Sequence, residues 1–281
     1  MGISLRHHVI SLVAIFFMLL VGLLIGFGMS SQPRLTEQIA SLNDQFRALQ
    51  ANLGRLDRQR HAYEQFGREV APRLVSGRLV GQQVLLVVTA PRPDPSVNDQ
   101  IAEAVQQAGG SVAGELTVDA RFAKTAAATA GLADSPPDSR EVRAAVASEA
   151  EALAQALLAR DAAALSAEAK RKLIRLRDQP LALPEHYLVA AVAGAADEAQ
   201  DRSEWVDRPL VAKLLDGGLR VVVCQRMEDV SSLGIYRSLS VTTVDNVDSP
   251  LGLVSLVYGL AGTRGHFGLG PHADDPFPPL Q

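Results

Sequence analysis

The order of apolar and polar positions divides this chain into three regimes. Val9–Met29 is an uninterrupted apolar run with no ionisable residue inside it. A bilayer core about 30 Å thick takes about 20 residues of helix, so the run predicts a transmembrane helix over 9–29 after a short tail, 1–8. From Leu35 the apolar residues recur in alternating steps of four and three. Ile39, Phe46 and Leu53 fall at heptad position a, and Leu42, Leu49 and Leu56 at d. That seam predicts a coiled-coil stalk over 35–70, weakening where Arg60 and Gly67 fall on a. Beyond residue 79 the pattern changes again, to short continuous apolar runs separated by Ala-rich amphipathic segments.

In this third regime Val84–Thr89, Ser111–Val118, Tyr187–Ala193, Leu219–Cys224 and Ser240–Val244 predict strands, most of them apolar on both faces. Asp94–Ala108, Glu141–Arg160, Ser166–Arg177, Ser203–Asp216 and Pro250–Ala261 predict helices. Gly109-Gly110 and Gly217-Gly218 stop two of them, and Ser249 with Pro250 starts the last. Gly131–Arg140 reads as a turn-rich linker. Strands alternating with helices predict an α/β head over 79–270, Rossmann-like with a mostly parallel sheet. The segment 271–281, with Pro271, Pro276, Pro278 and Pro279, reads as a disordered tail.

The membrane run is longer than the 7–15 apolar residues of a cleaved signal, which favours a retained anchor. Gly22-x-x-x-Gly26 is a spacing that lets membrane helices approach closely, although glycine is also common in such helices for other reasons. Arg6 before the run and Arg34 after it give little charge bias. A short tail before the span and a long body after it make an exported head the expectation. The seam is flanked by Gln38, Asn43, Gln45, Gln50, Asn52 and Asp57, so few charges there could select a different partner. Anchoring gives every copy the same direction, and a parallel homodimer is the simplest use of the seam. The alternative is an amphipathic helix folded back onto the head.

Composition removes several function classes. The 281 residues carry a net charge of −4 with 27 Lys and Arg, in no sustained basic tract, and only 5% are aromatic. No nucleic-acid partner is expected from that balance. The single cysteine, Cys224, excludes an intrachain disulfide and a multi-cysteine zinc site. A transmembrane barrel needs many alternating strands of about ten residues, and the runs here are short and continuously apolar.

The head lacks the usual chemistry of its predicted fold. After the first strand comes Thr89-Ala-Pro-Arg-Pro-Asp-Pro95, whose three prolines remove backbone donors and which has no glycine. A nucleotide-binding Gly-rich turn is therefore missing there, and Ala193-Gly194-Ala195 does not supply one. There is no Walker A sequence and no Gly-x-Ser-x-Gly elbow. His186, His266 and His272 have no helical i, i+4 spacing. The expectation is that the chain is not an enzyme. Cys224 and Met227 offer two soft sulfur atoms near one strand end, a donor pair suited to Cu(I), or else two core residues. Asp245, Asn246 and Asp248 lie between a strand and a helix N-terminus, at the edge where open α/β sheets keep their clefts. They read as a partner or cleft site, or as turn and cap chemistry.

Several stretches together resemble the MctB/SteB family. They are Ile3-Ser-Leu-Arg-His-His-Val-Ile-Ser-Leu12 running into a span with Gly26-x-Gly28, the heptad stalk, Val244-Asp-Asn-Val-Asp248 with Gly252, and Gly265-His-Phe-Gly268. The resemblance covers nearly the whole chain. It implies a cell-envelope protein of mycolate-making actinobacteria, linked to copper transport, efflux and resistance and to a channel in the outer membrane, with copper as the metal concerned. The corynebacterial SteB relatives imply another role. That role is a coiled-coil membrane scaffold that binds a second membrane protein, of SteA type, in envelope assembly and division.

Overall fold

The structure is a computed structural model that describes residues 5–177, 180–194, 203–229 and 233–279; of residues 5–7, 27–37 and 40 it describes the backbone alone. Residues 1–4 of the expected tail, Ala195 and the last two residues lie outside the described set. The chain divides into two compact units, Met1–Tyr63 and Glu64–Gln281.

The first unit is helical throughout its described length, as part of helix α1, Leu5–Val75. One segment among the described residues, His8–Gly26, is long and apolar enough to cross a membrane. Its 19 residues span about 28 Å at 1.5 Å per residue, which matches a bilayer core. The seam residues Ile39, Leu42, Phe46, Leu49, Leu53 and Leu56 are each 55–64% exposed.

The second unit is an α/β domain. Its elements are the end of α1, β1 (Gln83–Val88), α2 (Pro95–Gln107), β2 (Ser111–Val118), α3 (Phe122–Thr129), α4 (Arg140–Ala159), α5 (Ala162–Lys170), β3 (Ile174–Leu176), β4 (Leu188–Val192), α6 (Arg208–Asp216), β5 (Val221–Cys224), β6 (Thr242–Val244), α7 (Pro250–Ala261) and β7 (His266–Phe267). A single π-turn, Ser203–Asp207, leads into α6. The strands form one sheet in the order β3-β2-β1-β4-β5-β6-β7. All neighbours are parallel except β2 and β3, where Leu116 faces Leu176 in antiparallel register.

Successive strand residues point to opposite faces, so each strand feeds two apolar layers. On one face Leu85, Val87, Val189 and Val223 pack with Val146, Leu153 and Leu157 of α4 and with Leu210 and Leu214 of α6. On the other, Leu86, Ala190, Val222 and Cys224 pack with Ile101 and Val105 of α2, with Leu256 and Leu260 of α7, and with Val75 at the end of α1. The helices start where side chains satisfy their free N–H groups. Asp94 accepts from Ser96 N, Ser139 from Val142 N, Asp161 from Ala163 and Ala164 N, and Ser249 from Gly252 N.

Four expectations change. The compact head begins at Glu64, not near 79, because Ala71, Leu74 and Val75 of α1 pack into its core. The last heptad of the expected stalk, with Gly67 and Val70, therefore belongs to the head. The expected helix Ser166–Arg177 is instead α5 followed by the edge strand β3, with Lys172 at a positive φ of 61° breaking the run. The tail expected to be disordered is tied down as far as Asp275. Asp274 N donates to His266 O, Gly268 N donates to Asp275 O, and Arg237 donates to Asp274 and to the His272 carbonyl.

Candidate functional site

Parallel α/β sheets keep ligand clefts outside the carboxyl ends of their strands, most often where the strand order reverses. Here that point lies between β1 and β4. The chain's own charges occupy it. Arg226, just after β5, pairs with Asp229 at 3.0 Å and with Asp94 at 3.5 Å. Asp94 also stands at the N-terminus of α2, accepting from the Ser96 N–H at 2.9 Å and the Ser96 hydroxyl at 2.8 Å. These Ser96 bonds, with Arg226 nearby, hold the Asp94 carboxyl below its ordinary range. A carboxylate thus sits on the helix N-terminus, a position suited to an anion. Beside it a Cβ on Gly194 would lie 2.9 Å from the Cβ of Ala90.

The loop after β6 turns Asp245 and Asn246 inward. Asp245 is buried and accepts from Leu269 N at 2.8 Å and Gly270 N at 2.6 Å, so it fastens the segment after β7. Asn246 is buried too, and its backbone carbonyl accepts from Ser249 N at 2.9 Å and from the Ser249 hydroxyl at 2.8 Å. Its side-chain amide atoms have no partner among the described residues. Asp248 is exposed and accepts from Met227 N at 3.0 Å. Of the three residues expected at a cleft, two are buried in the fold and one pins the neighbouring turn.

Cys224 and Met227 stand in different surroundings. Cys224 is fully buried on β5, and burial pushes its thiol up to about 12, so it stays protonated at neutral pH. The Met227 side chain is 58% exposed on the turn that follows. Metal binding through the Cys224 sulfur calls for a thiolate, which its burial disfavours. His266 lies on β7 with Nδ1 2.9 Å from the Thr243 hydroxyl, and burial, then Arg237, lowers its pKa. Among the described residues no group of three or more His, Cys, Asp or Glu side chains is placed to hold a metal ion.

The Arg226 clasp was not foreseen from the sequence. Asp94 was visible as the start of a helix, but its partner lies 132 residues away and no local spacing announces it.

The described residues combine one apolar helix of membrane-spanning length with a mostly parallel α/β head whose carboxyl edge is bridged by the chain's own side chains. The chain belongs to the family described as "Copper transport outer membrane protein, MctB", whose model matches residues 2–278. It is similar to the copper transporter MctB of Mycobacterium bovis and to that of Mycobacterium tuberculosis. Each is 32% identical over 127 residues, a match covering 43% of this chain and 39% of the relative. The chain thus spans about two fifths of the length of the curated relatives it matches.

Proposed function

We propose that this chain is a non-enzymatic, membrane-anchored protein of the cell envelope that serves copper transport and copper resistance. The observation that carries this reading is membership of the MctB family over 2–278, together with an apolar helix at His8–Gly26. The helix is the anchor, the heptad segment a coiled-coil stalk, and the head a Rossmann-like domain on the exported side. The strand order β3-β2-β1-β4-β5 supports the Rossmann-like reading.

The physical form of the chain bears on how it serves copper. The described sheet is open, with helices on both faces, whereas a membrane barrel must close on itself and face lipid outward. A single apolar helix has no polar face to line an aqueous path. We infer that the head acts by presenting surfaces to other envelope components, and that copper is cargo of the system. Its own carboxyl edge is bridged by Arg226, Asp94 and Asp229, which supports a binding role over catalysis on a nucleotide.

The test is growth of the native host on graded copper after deletion of the gene, with the full chain returned on a plasmid. The expected result is lowered copper tolerance on deletion and full recovery with the chain. Unchanged tolerance in the deletion strain overturns the reading.

A further inference from the structure

Outside the span, the described residues of the first unit expose an apolar stripe along the heptad segment. Ile39, Leu42, Phe46, Leu49, Leu53 and Leu56 are each more than half exposed, on one stripe at heptad spacing. A soluble helix that shows such a stripe needs a cover, since contiguous apolar patches of this kind mark contact sites. The flanks say which cover fits. Gln38, Asn43, Gln45, Gln50 and Asn52 are neutral, so an identical helix laid alongside in register brings no like charges together from Ile39 to Leu56, whereas Arg60, at the next a position, would meet its own copy. Leucine at every d position from Leu42 to Leu56 suits a two-stranded pairing.

The far end of the stripe is set by the head. The a position after Arg60 is Gly67, where an added Cβ would lie 2.9 Å from the Cβ of Pro250. The a position after that, Leu74, packs against the head's core beside Ala71 and the buried Val75. The same heptad phase is therefore open in 39–63 and occupied by the chain's own head from Gly67 onward.

We propose that a second copy of this chain covers the stripe from Ile39 to Leu56, parallel and in register, and that the pairing ends beyond it because Arg60 would face its own copy at a and α7 takes the a face at Gly67. The stripe and its end stand on the helix alone. Only the parallel direction rests on the membrane-anchored reading.

The test uses the full chain in native membranes, in a Cys224→Ala background, with single cysteines treated with a short bismaleimide. Leu42→Cys, Leu49→Cys and Leu56→Cys sample the d face, Ala51→Cys the opposite face and Val70→Cys the head end. The expected result is at least about fivefold more cross-linked dimer at 42, 49 and 56 than at 51, with 70 no higher than 51. Equal yields at d positions and at 51 overturn the pairing. Cross-linking at 49 without 42 and 56 means antiparallel pairing and overturns the direction. A yield at 70 equal to that at 56 overturns the stated end. Trp205 fluorescence of each variant shows that the head is folded, and an error in the membrane reading appears separately, as protein in the soluble fraction.

Discussion

The Asp245 carboxylate and the Gly270 backbone N–H lie 2.6 Å apart, and the same carboxylate takes a second bond, from Leu269 N, at 2.8 Å. One buried side chain thereby fixes the segment beyond β7 to the end of β6. A charged acceptor with two backbone donors is worth more than a neutral bond, and removing it strands both donors. Asp245→Ala is expected to cost about 3 kcal/mol of head stability and to open residues 268–279 to protease. Denaturant titration followed through Trp205, with limited proteolysis beside it, checks both. Wild-type stability in the variant would remove the assigned role.

Gly252 is the closest backbone approach at the start of α7. A Cβ there would run into the Asn246 carbonyl, which already holds Ser249. Neither group is a flexible side-chain end, so the loop or the helix must shift. Gly252→Ala is expected to cost about 3 kcal/mol, against about 1 kcal/mol for Ser249→Ala, which removes a single cap. The same titration ranks the two, and the reverse order contradicts this account of the close approach.

Alkaline pH should loosen the head through Cys224 and Tyr187, and through Tyr236, whose phenol pKa is also raised by burial. Burial raises the Cys224 thiol from an ordinary 9.0 to about 12, and raises Tyr187 from 10.0 to about 12 while its hydroxyl donates to the Leu157 carbonyl. Both folded values exceed the unfolded ones. The protonated groups therefore contribute stability that is fully present below pH 9, and the unfolded chain releases these protons first as pH rises toward 12. Unfolding midpoints at pH 8, 9.5 and 10.5 are expected to fall in that order. Cys224→Ala should flatten the fall that starts near pH 9, and Tyr187→Phe should lessen the part that starts near pH 10, which Tyr236 shares. Parallel slopes in wild type and both variants would contradict this assignment.

Arg226 joins Asp229 and Asp94 across the sheet's carboxyl edge, but it is only partly buried. Partly exposed ion pairs contribute little, so Asp94→Asn should lower the melting temperature only slightly. A circular-dichroism melt of the variant measures this. A larger loss would mean the clasp holds the β1–α2 loop more firmly than its exposure implies.

Local signals in the sequence carried much of the fold. Ser249 and Pro250 marked the first turn of α7, and Ser111–Val118 stood out as a strand after Gly109-Gly110, both with the observed bounds. The Ala-rich stretch after Arg160 misled, because its period continued past α5 while Leu173, Ile174 and Leu176 were already turning inward as the edge strand β3. The prolines after Pro271 signalled a chain that cannot form helix, and disorder was the natural reading. What ties that segment is Arg237, 37 residues from Asp274, which no window on the tail contains. The candidate site followed the same division. Asp245, Asn246 and Asp248 stood out as a polar cluster, but the roles of Asp245 and Asp248 depend on Leu269, Gly270 and Met227, brought to them only by the sheet. Gly67 interrupted the heptad in the sequence, and its cause, Pro250, lay far along the chain.

The most direct measurement of the central claim is copper tolerance in the deletion strain carrying one of three versions of the chain. These are the full chain, a chain whose residues 8–26 are replaced by an unrelated single-pass helix, and an exported chain without any anchor. If the apolar helix serves as an anchor for a copper-transport component, the first two restore tolerance and the third does not. Loss of tolerance with the replaced helix, when that protein is present in the membrane at the wild-type level, would contradict the account, as would full recovery with the unanchored chain.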